Sequence, residues 1–145
     1  MKIDLRGRGN YNKTGNGGDR MRTREKAVAA CMALGGCYED YPFNDPNWTV
    51  MRHHGNRRAF ALIFEREGRI WVNVKAEPMW GEHWRHTYPA VVPGYHMNKR
   101  HWISIILDGS MSEEEILPLI AESWALTAPK GRLMKGSEDN SENGI

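Results

Sequence analysis

Eight consecutive residues, Tyr95-His96-Met97-Asn98-Lys99-Arg100-His101-Trp102, hold two cations, two histidines, an amide and two aromatic rings. Lysine and arginine neutralise phosphates, an amide can pair with a base edge, and aromatic rings can stack on bases. A second basic pair, Arg57-Arg58, follows Gly55 in a turn, and Lys75 ends an alternating apolar run. Arg57, Arg58, Lys75, His96, Asn98, Lys99, Arg100 and His101 are thus candidate nucleic-acid contacts. The same residues also suit plain solvated loop tips, with Trp102 as sheet cover.

Other chemistry is poorly supported. His53 and His54 are adjacent on a predicted strand, so they face opposite sides and cannot readily share an ion. His83 and His86 could share a helix face, but no cysteine or carboxylate completes a zinc set, and Glu82 precedes His83 instead of following it. Cys31 and Cys37 flank a Gly-Gly break and match neither a zinc knuckle nor a CxxC redox motif. Ser104 lies between two isoleucines with no glycine elbow. Glu39 and Asp40 read as acids that keep a loop solvated, and there is no Walker or GxGxxG loop. The expectation is a non-enzymatic domain with no metal and no cofactor.

The elements that must position these residues are legible from periodicity. Thr23 is a fitting N-cap, and residues 26–34 place Ala27, Val28, Ala30, Cys31 and Leu34 at helical spacing before Gly35-Gly36 stops the helix. Residues 48–53 are a candidate strand. Residues 59–65 alternate, which puts Phe60, Leu62 and Phe64 on one face, and residues 70–75 alternate with Ile70, Val72 and Val74. Glu67-Gly68 is the turn between those two runs. Residues 77–88 suit a short helix with Pro78 in its first turn. A fourth strand follows at 101–107, and Ser112 with Glu115 forms a capping box for a last helix to about Ala128. Pro118 predicts a kink or restart there. The order α-β-β-β-α-β-α predicts an α+β fold, with helices packed on an antiparallel sheet of about four strands.

A chain of 145 residues suits one domain. Residues 1–20 are rich in glycine and predict a disordered basic arm, and residues 131–145 a disordered tail. The arm makes Met21 a candidate translation start, which the intact mass of the native protein decides. Residues 1–22 carry a net charge of +4, residues 23–129 carry −2, and residues 130–145 carry zero. The overall charge of +2 therefore comes from the arm, and a nucleic-acid site in the domain must be a local patch. No apolar run reaches the ~20 residues that span a bilayer, and no signal-peptide core is present, which points to the cytoplasm.

Several motifs occur together. They are Thr23-Arg24-Glu25, Tyr38-Glu39-Asp40-Tyr41-Pro42-Phe43, Asn47-Trp48-Thr49-Val50-Met51-Arg52, Phe60-Ala61-Leu62 and Pro93-Gly94-Tyr95-His96-Met97-Asn98-Lys99-Arg100-His101-Trp102. In this order they resemble the MmcQ/YjbR family over residues 21–130. Ser123-Trp124-Ala125-Leu126 resembles its closing Ser-Tyr-x-Leu motif, with Trp124 as a departure. The resemblance implies an α+β domain of double-wing type that binds DNA. In it Lys99, Arg57 and Arg58 would contact phosphates, and Asn98 and Arg100 would read bases. The alternative is a protein-interaction or small-ligand module that uses an exposed group of Trp71, Trp80 and Trp84.

Overall fold

The computed structural model describes residues 20–130. The expected arm (Arg20 excepted) and tail lie outside the described residues. In chain order the elements are α1 (Arg24–Met32), β1 (Cys37–Asp40), β2 (Thr49–His53), β3 (Ala59–Arg66) and β4 (Arg69–Lys75). They continue with α2 (Pro78–Thr87), β5 (Val91–Pro93), β6 (Trp102–Ile106) and α3 (Glu113–Thr127). The α+β class and the antiparallel sheet are as expected, but the sheet has six strands, in the order β1-β2-β3-β4-β6-β5. The two extra strands are the edges. They are short, and periodicity has no purchase on three or four residues. Glu39 and Asp40, expected in a loop, belong to one of them.

All three helices contact one sheet face. That face contributes Met51, Ala61, Ile63, Val72, Val74, Ile103 and Ile105 to the core, joined by Ala27 and Cys31 of α1 and Ile116, Leu119 and Ile120 of α3. The expected grouping of Phe60 with Leu62 and Phe64 fails. The β2–β3 register shifts between Met51 and Arg52, which pair with Ala61 and Ala59, so Phe60 is the extra residue of a bulge. Phe60 turns to the helix side, with its ring 5.0 Å from that of His53. Leu62 and Phe64 keep to the opposite face.

Helix ends follow local chemistry. Thr23 Oγ1 accepts a hydrogen bond from the Lys26 amide, and Ser112 and Glu115 form the full capping box. Pro118 does not split α3, which runs unbroken through it. The ring is exposed and near the N-terminus, so the orphaned Glu114 carbonyl can take water. Arg24 pins α1 to the sheet: Nη1 donates to the carbonyls of Asn47 (2.7 Å) and Ile63 (3.0 Å), and Nη2 to Asn47 Oδ1 (3.0 Å). Motif residues Arg24 and Asn47 are thus framework.

Ser123 of α3 closes a gap in the sheet. Its Oγ accepts from the Lys75 amide at 2.8 Å and donates to the Phe60 carbonyl at 2.6 Å. The β3–β4 ladder ends at Ala61 and Val74, beside the bulge, and the serine hydroxyl takes the place of the next backbone pair.

Candidate nucleic-acid interface

β3 begins, β4 ends, β5 ends and β6 begins at one end of the sheet. The Arg57-Arg58 turn, Lys75 and the loop of residues 94–101 therefore gather there. Within the described residues no carboxylate lies within 4.0 Å of Arg57, Arg58, Lys75, Lys99 or Arg100; Arg52 nearby is paired with Asp40 at 2.7 Å. Burial pulls the Lys75 ammonium below its usual range, and the field of Arg58 adds to this. The opposite end carries Glu65, Glu67, Asp108 and the Glu113-Glu114-Glu115 start of α3. An open cleft of about 720 Å³ lies at that far end, lined by groups of both signs, among them Arg22, Glu25, Glu65, Glu67 and Arg69.

The loop of residues 94–101 lies over the sheet face that no helix covers. Tyr95 donates its amide to Ser104 Oγ (2.8 Å) and accepts Asn73 Nδ2 at its carbonyl (2.9 Å), and Ser104 Oγ donates to Asn73 Oδ1. Ser104 and Asn73 are fully buried, so this pair is a satisfied anchor for the loop. The Tyr95 ring stacks on Phe64, and Arg66 lies over Tyr95 (4.4 Å) and Trp71 (4.9 Å).

The individual candidates divide by environment. Lys99 Nζ donates to the carbonyls of Gly94 (2.9 Å) and Met97 (3.3 Å), which closes its own loop. Asn98 Oδ1 accepts from the amides of Arg100 (2.9 Å) and His101 (3.2 Å) in an Asx turn, so that oxygen is committed to the backbone. Arg57, Arg100 and His101 are exposed, and Arg58 and Lys75 are half-buried. His96 is exposed, and its ring lies beside Tyr95 (4.1 Å) rather than among the cations. Arg57 and His96 both have φ of 62°, a left-handed conformation unusual outside glycine and asparagine.

The β2–β3 turn is tied to the far end of α3. Buried His53 shares a 2.9 Å hydrogen bond between Nε2 and Thr127 Oγ1, and Asn56 Nδ2 donates to the Thr127 carbonyl. Burial holds the His53 imidazole below its ordinary pKa; a Trp124 carbonyl bond opposes this and the Arg58 charge reinforces it. His53 is therefore a core histidine and not an exposed one, whereas His54 is exposed and stacks on Tyr38. Cys31 is packed, with its thiol pushed up to about 12 by burial and by Cys37. Among the described residues no three His, Cys, Asp or Glu side chains lie close enough to hold a metal, and no helix is long and apolar enough to cross a membrane.

Trp71, which only the alternative interaction-module reading groups with Trp80 and Trp84 as exposed, is 7% exposed and lies under Tyr95, with Nε1 donating to the Arg66 carbonyl. Trp80 and Trp84 stack on α2, on the other side of the sheet. Trp102 on a strand suits core or sheet cover. It is half-buried on the helix-free face, directly across from Lys75.

Together these features define a class: an α+β domain with one helix-covered and one loop-covered sheet face and, among the described residues, a group of cations without carboxylate partners at one sheet end. A YjbR family model matches residues 32–126, and the chain belongs to that family. It is 35% identical to YyaQ of Bacillus subtilis over 74% of this chain and 99% of that one. To YjbR of Escherichia coli K12 it is 34% identical, over 70% and 84%. The crystal structure of a Deinococcus radiodurans protein aligns with TM-score 0.68 and 31% identity, over 77% of this chain and 82% of that one. A crystal structure from Pseudomonas syringae aligns with TM-score 0.65 and 28% identity, over 72% and 98%.

Proposed function

We propose that the protein is a non-enzymatic, cytoplasmic DNA-binding domain that meets phosphates with the cationic end of its sheet. The observation that carries this reading is the gathering of Arg57, Arg58, Lys75 and Arg100 with no carboxylate within 4.0 Å among the described residues, while Glu65, Glu67, Asp108 and Glu113 to Glu115 lie at the other end and Glu77 and Glu122 stay on the helix side. Such segregation orients an approaching polyanion. The Gly55–Arg58 turn and the Pro93–His101 loop are the two wings. Lys99 and Asn98 build the second wing, so their amide and ammonium groups act on DNA mainly by shaping it.

The test is the salt dependence of DNA affinity for the full chain and for Arg58→Met, Lys75→Met and Arg100→Met. Each phosphate contact removed lowers the log–log salt slope by about 0.9. Absence of DNA affinity at low salt, or a slope unchanged by all three variants, overturns the proposal. A second reading, a protein- or small-ligand-binding module, is favoured by α2, where Met79 is 80% and Trp80 47% exposed. Trp80→Ser leaves DNA affinity unchanged under the first reading.

A further inference from the structure

Trp102 occupies an unusual position among the six tryptophans. It begins β6, and the alternation that sends Ile103 and Ile105 into the core sends its indole to the helix-free face. There it is the cross-strand partner of Lys75. Arg100 precedes it by two residues in the loop, and Lys99 is tethered to the carbonyl of Gly94 beside it. Gly94 runs against the Trp102 backbone so closely that an added Cβ would lie 2.8 Å from the Trp102 Cβ and 2.9 Å from its carbonyl oxygen. The loop thus packs against the backbone, and Trp102 is half-buried rather than fully covered. No other aromatic ring packs on it among the described residues, whereas Trp48, Trp71, Trp80, Trp84 and Trp124 all have ring partners. The acid nearest to Lys75 in the chain, Glu77, stands at the N-cap position of α2 without a side-chain cap bond, and α2 packs on the Ile103 side of the sheet.

We propose that Trp102 is a stacking platform for an unpaired base, which makes single-stranded nucleic acid the preferred ligand of the cationic end. The inference rests on the DNA-binding reading and names its substrate class. A rigid strand presents the ring at little entropic cost, and the flanking cations hold the phosphates on either side of the stacked base. In a duplex the base faces are already stacked, so a tryptophan fixed on a sheet face can add little there.

Fluorescence anisotropy of the full chain with a labelled oligothymidylate and with a random duplex of equal length, at one salt concentration, tests this. The single strand is expected to bind more tightly. Trp102→Ala is expected to weaken single-strand binding by about 5- to 150-fold, the range for one base–aromatic stack, and duplex binding by less than about twofold. Trp102→Phe, which keeps a ring and the fold, is expected to fall between wild type and alanine. Equal affinity of the wild type for the two forms, or equal losses on both forms in Trp102→Ala, overturns the inference while DNA binding stands. A phenylalanine variant as weak as a folded alanine variant also overturns it. Binding of neither form by the wild type overturns the DNA-binding reading itself. Charge on residues 1–19 is the same in wild type and variants, so it cancels when each variant is compared with wild type on the same form.

Discussion

Replacing Ser123 with alanine removes one oxygen atom and leaves two backbone groups without a partner. The Phe60 carbonyl and the Lys75 amide both depend on that hydroxyl, at 2.6 and 2.8 Å. Phe60 and Ser123 are fully buried, and the space left by one oxygen is too small for water. A buried backbone group left unpaired costs about 1–3 kcal/mol. The carbonyl bears that cost in full; the amide, on half-buried Lys75, bears part of it. The expected loss is therefore about 2–4 kcal/mol, on the order of 10–20 °C in melting temperature for a domain this size. Urea unfolding followed by tryptophan fluorescence reads it. A loss below about 0.5 kcal/mol would refute the reasoning, because it would mean that β3 and β4 close the gap directly and the bulge at Phe60 does not hold them apart.

Arg57→Gly relieves a left-handed backbone and is expected to stabilise the fold by up to about 1 kcal/mol while weakening DNA binding; a loss of stability would show that the Arg57 side chain braces the turn. Because the folded state holds His53 below its unfolded pKa, the stability tied to it is complete above about pH 6.5 and declines as pH falls from there toward the depressed folded value. Urea midpoints between pH 7 and pH 5 should show this decline, and His53→Gln should flatten it. Gly94→Ala forces a methyl group against the Trp102 backbone and is expected to cost about 1–3 kcal/mol and to shift the amide resonances of residues 95–101; a neutral result would mean that the loop is not gripped there. Cys31, with its thiol near pKa 12, should resist iodoacetamide at pH 8 until urea unfolds the domain, and alkylation at the rate of a free thiol in the native state would contradict its burial.

Much of this fold was legible because its central strands and last helix are long enough to show a period. The alternations at residues 70–75 and 101–107 report true faces, and Ser112 with Glu115 forms the capping box as read. Phe60 was misplaced because a bulge adds one residue without altering composition, and one residue inverts a period of two. The cationic end was legible as residue types, since Arg57-Arg58, Lys75 and Lys99-Arg100 stand out in any charge reading. Their meeting was not, because antiparallel pairing of β3, β4 and β6 brings them together over long sequence separations. The framework roles of Lys99, Asn98 and Arg24 were equally hidden: a side chain that bonds backbone carbonyls or amides has the same letter as one that faces solvent. The clue for Trp102 lay in its place as the odd residue of an alternating strand that also carries Ile103 and Ile105.

The two edges of the sheet govern how this protein fares in a crowded solution. β1 is four residues long, bears Glu39 and Asp40, and runs into Tyr41-Pro42; β5 is three residues long and ends on Pro93. Short strands with charge or proline are poor templates for another chain. They flank residues 59–64, Ala-Phe-Ala-Leu-Ile-Phe, an uncharged apolar run with the makings of a cross-β segment, held in the interior of the sheet. While the fold is intact that run has strands on both sides and has no free hydrogen-bonding edge. Resistance to aggregation is therefore tied to the lifetime of the folded state, and substitutions that shorten it should reveal themselves as fibrils or precipitate that seed from this one segment.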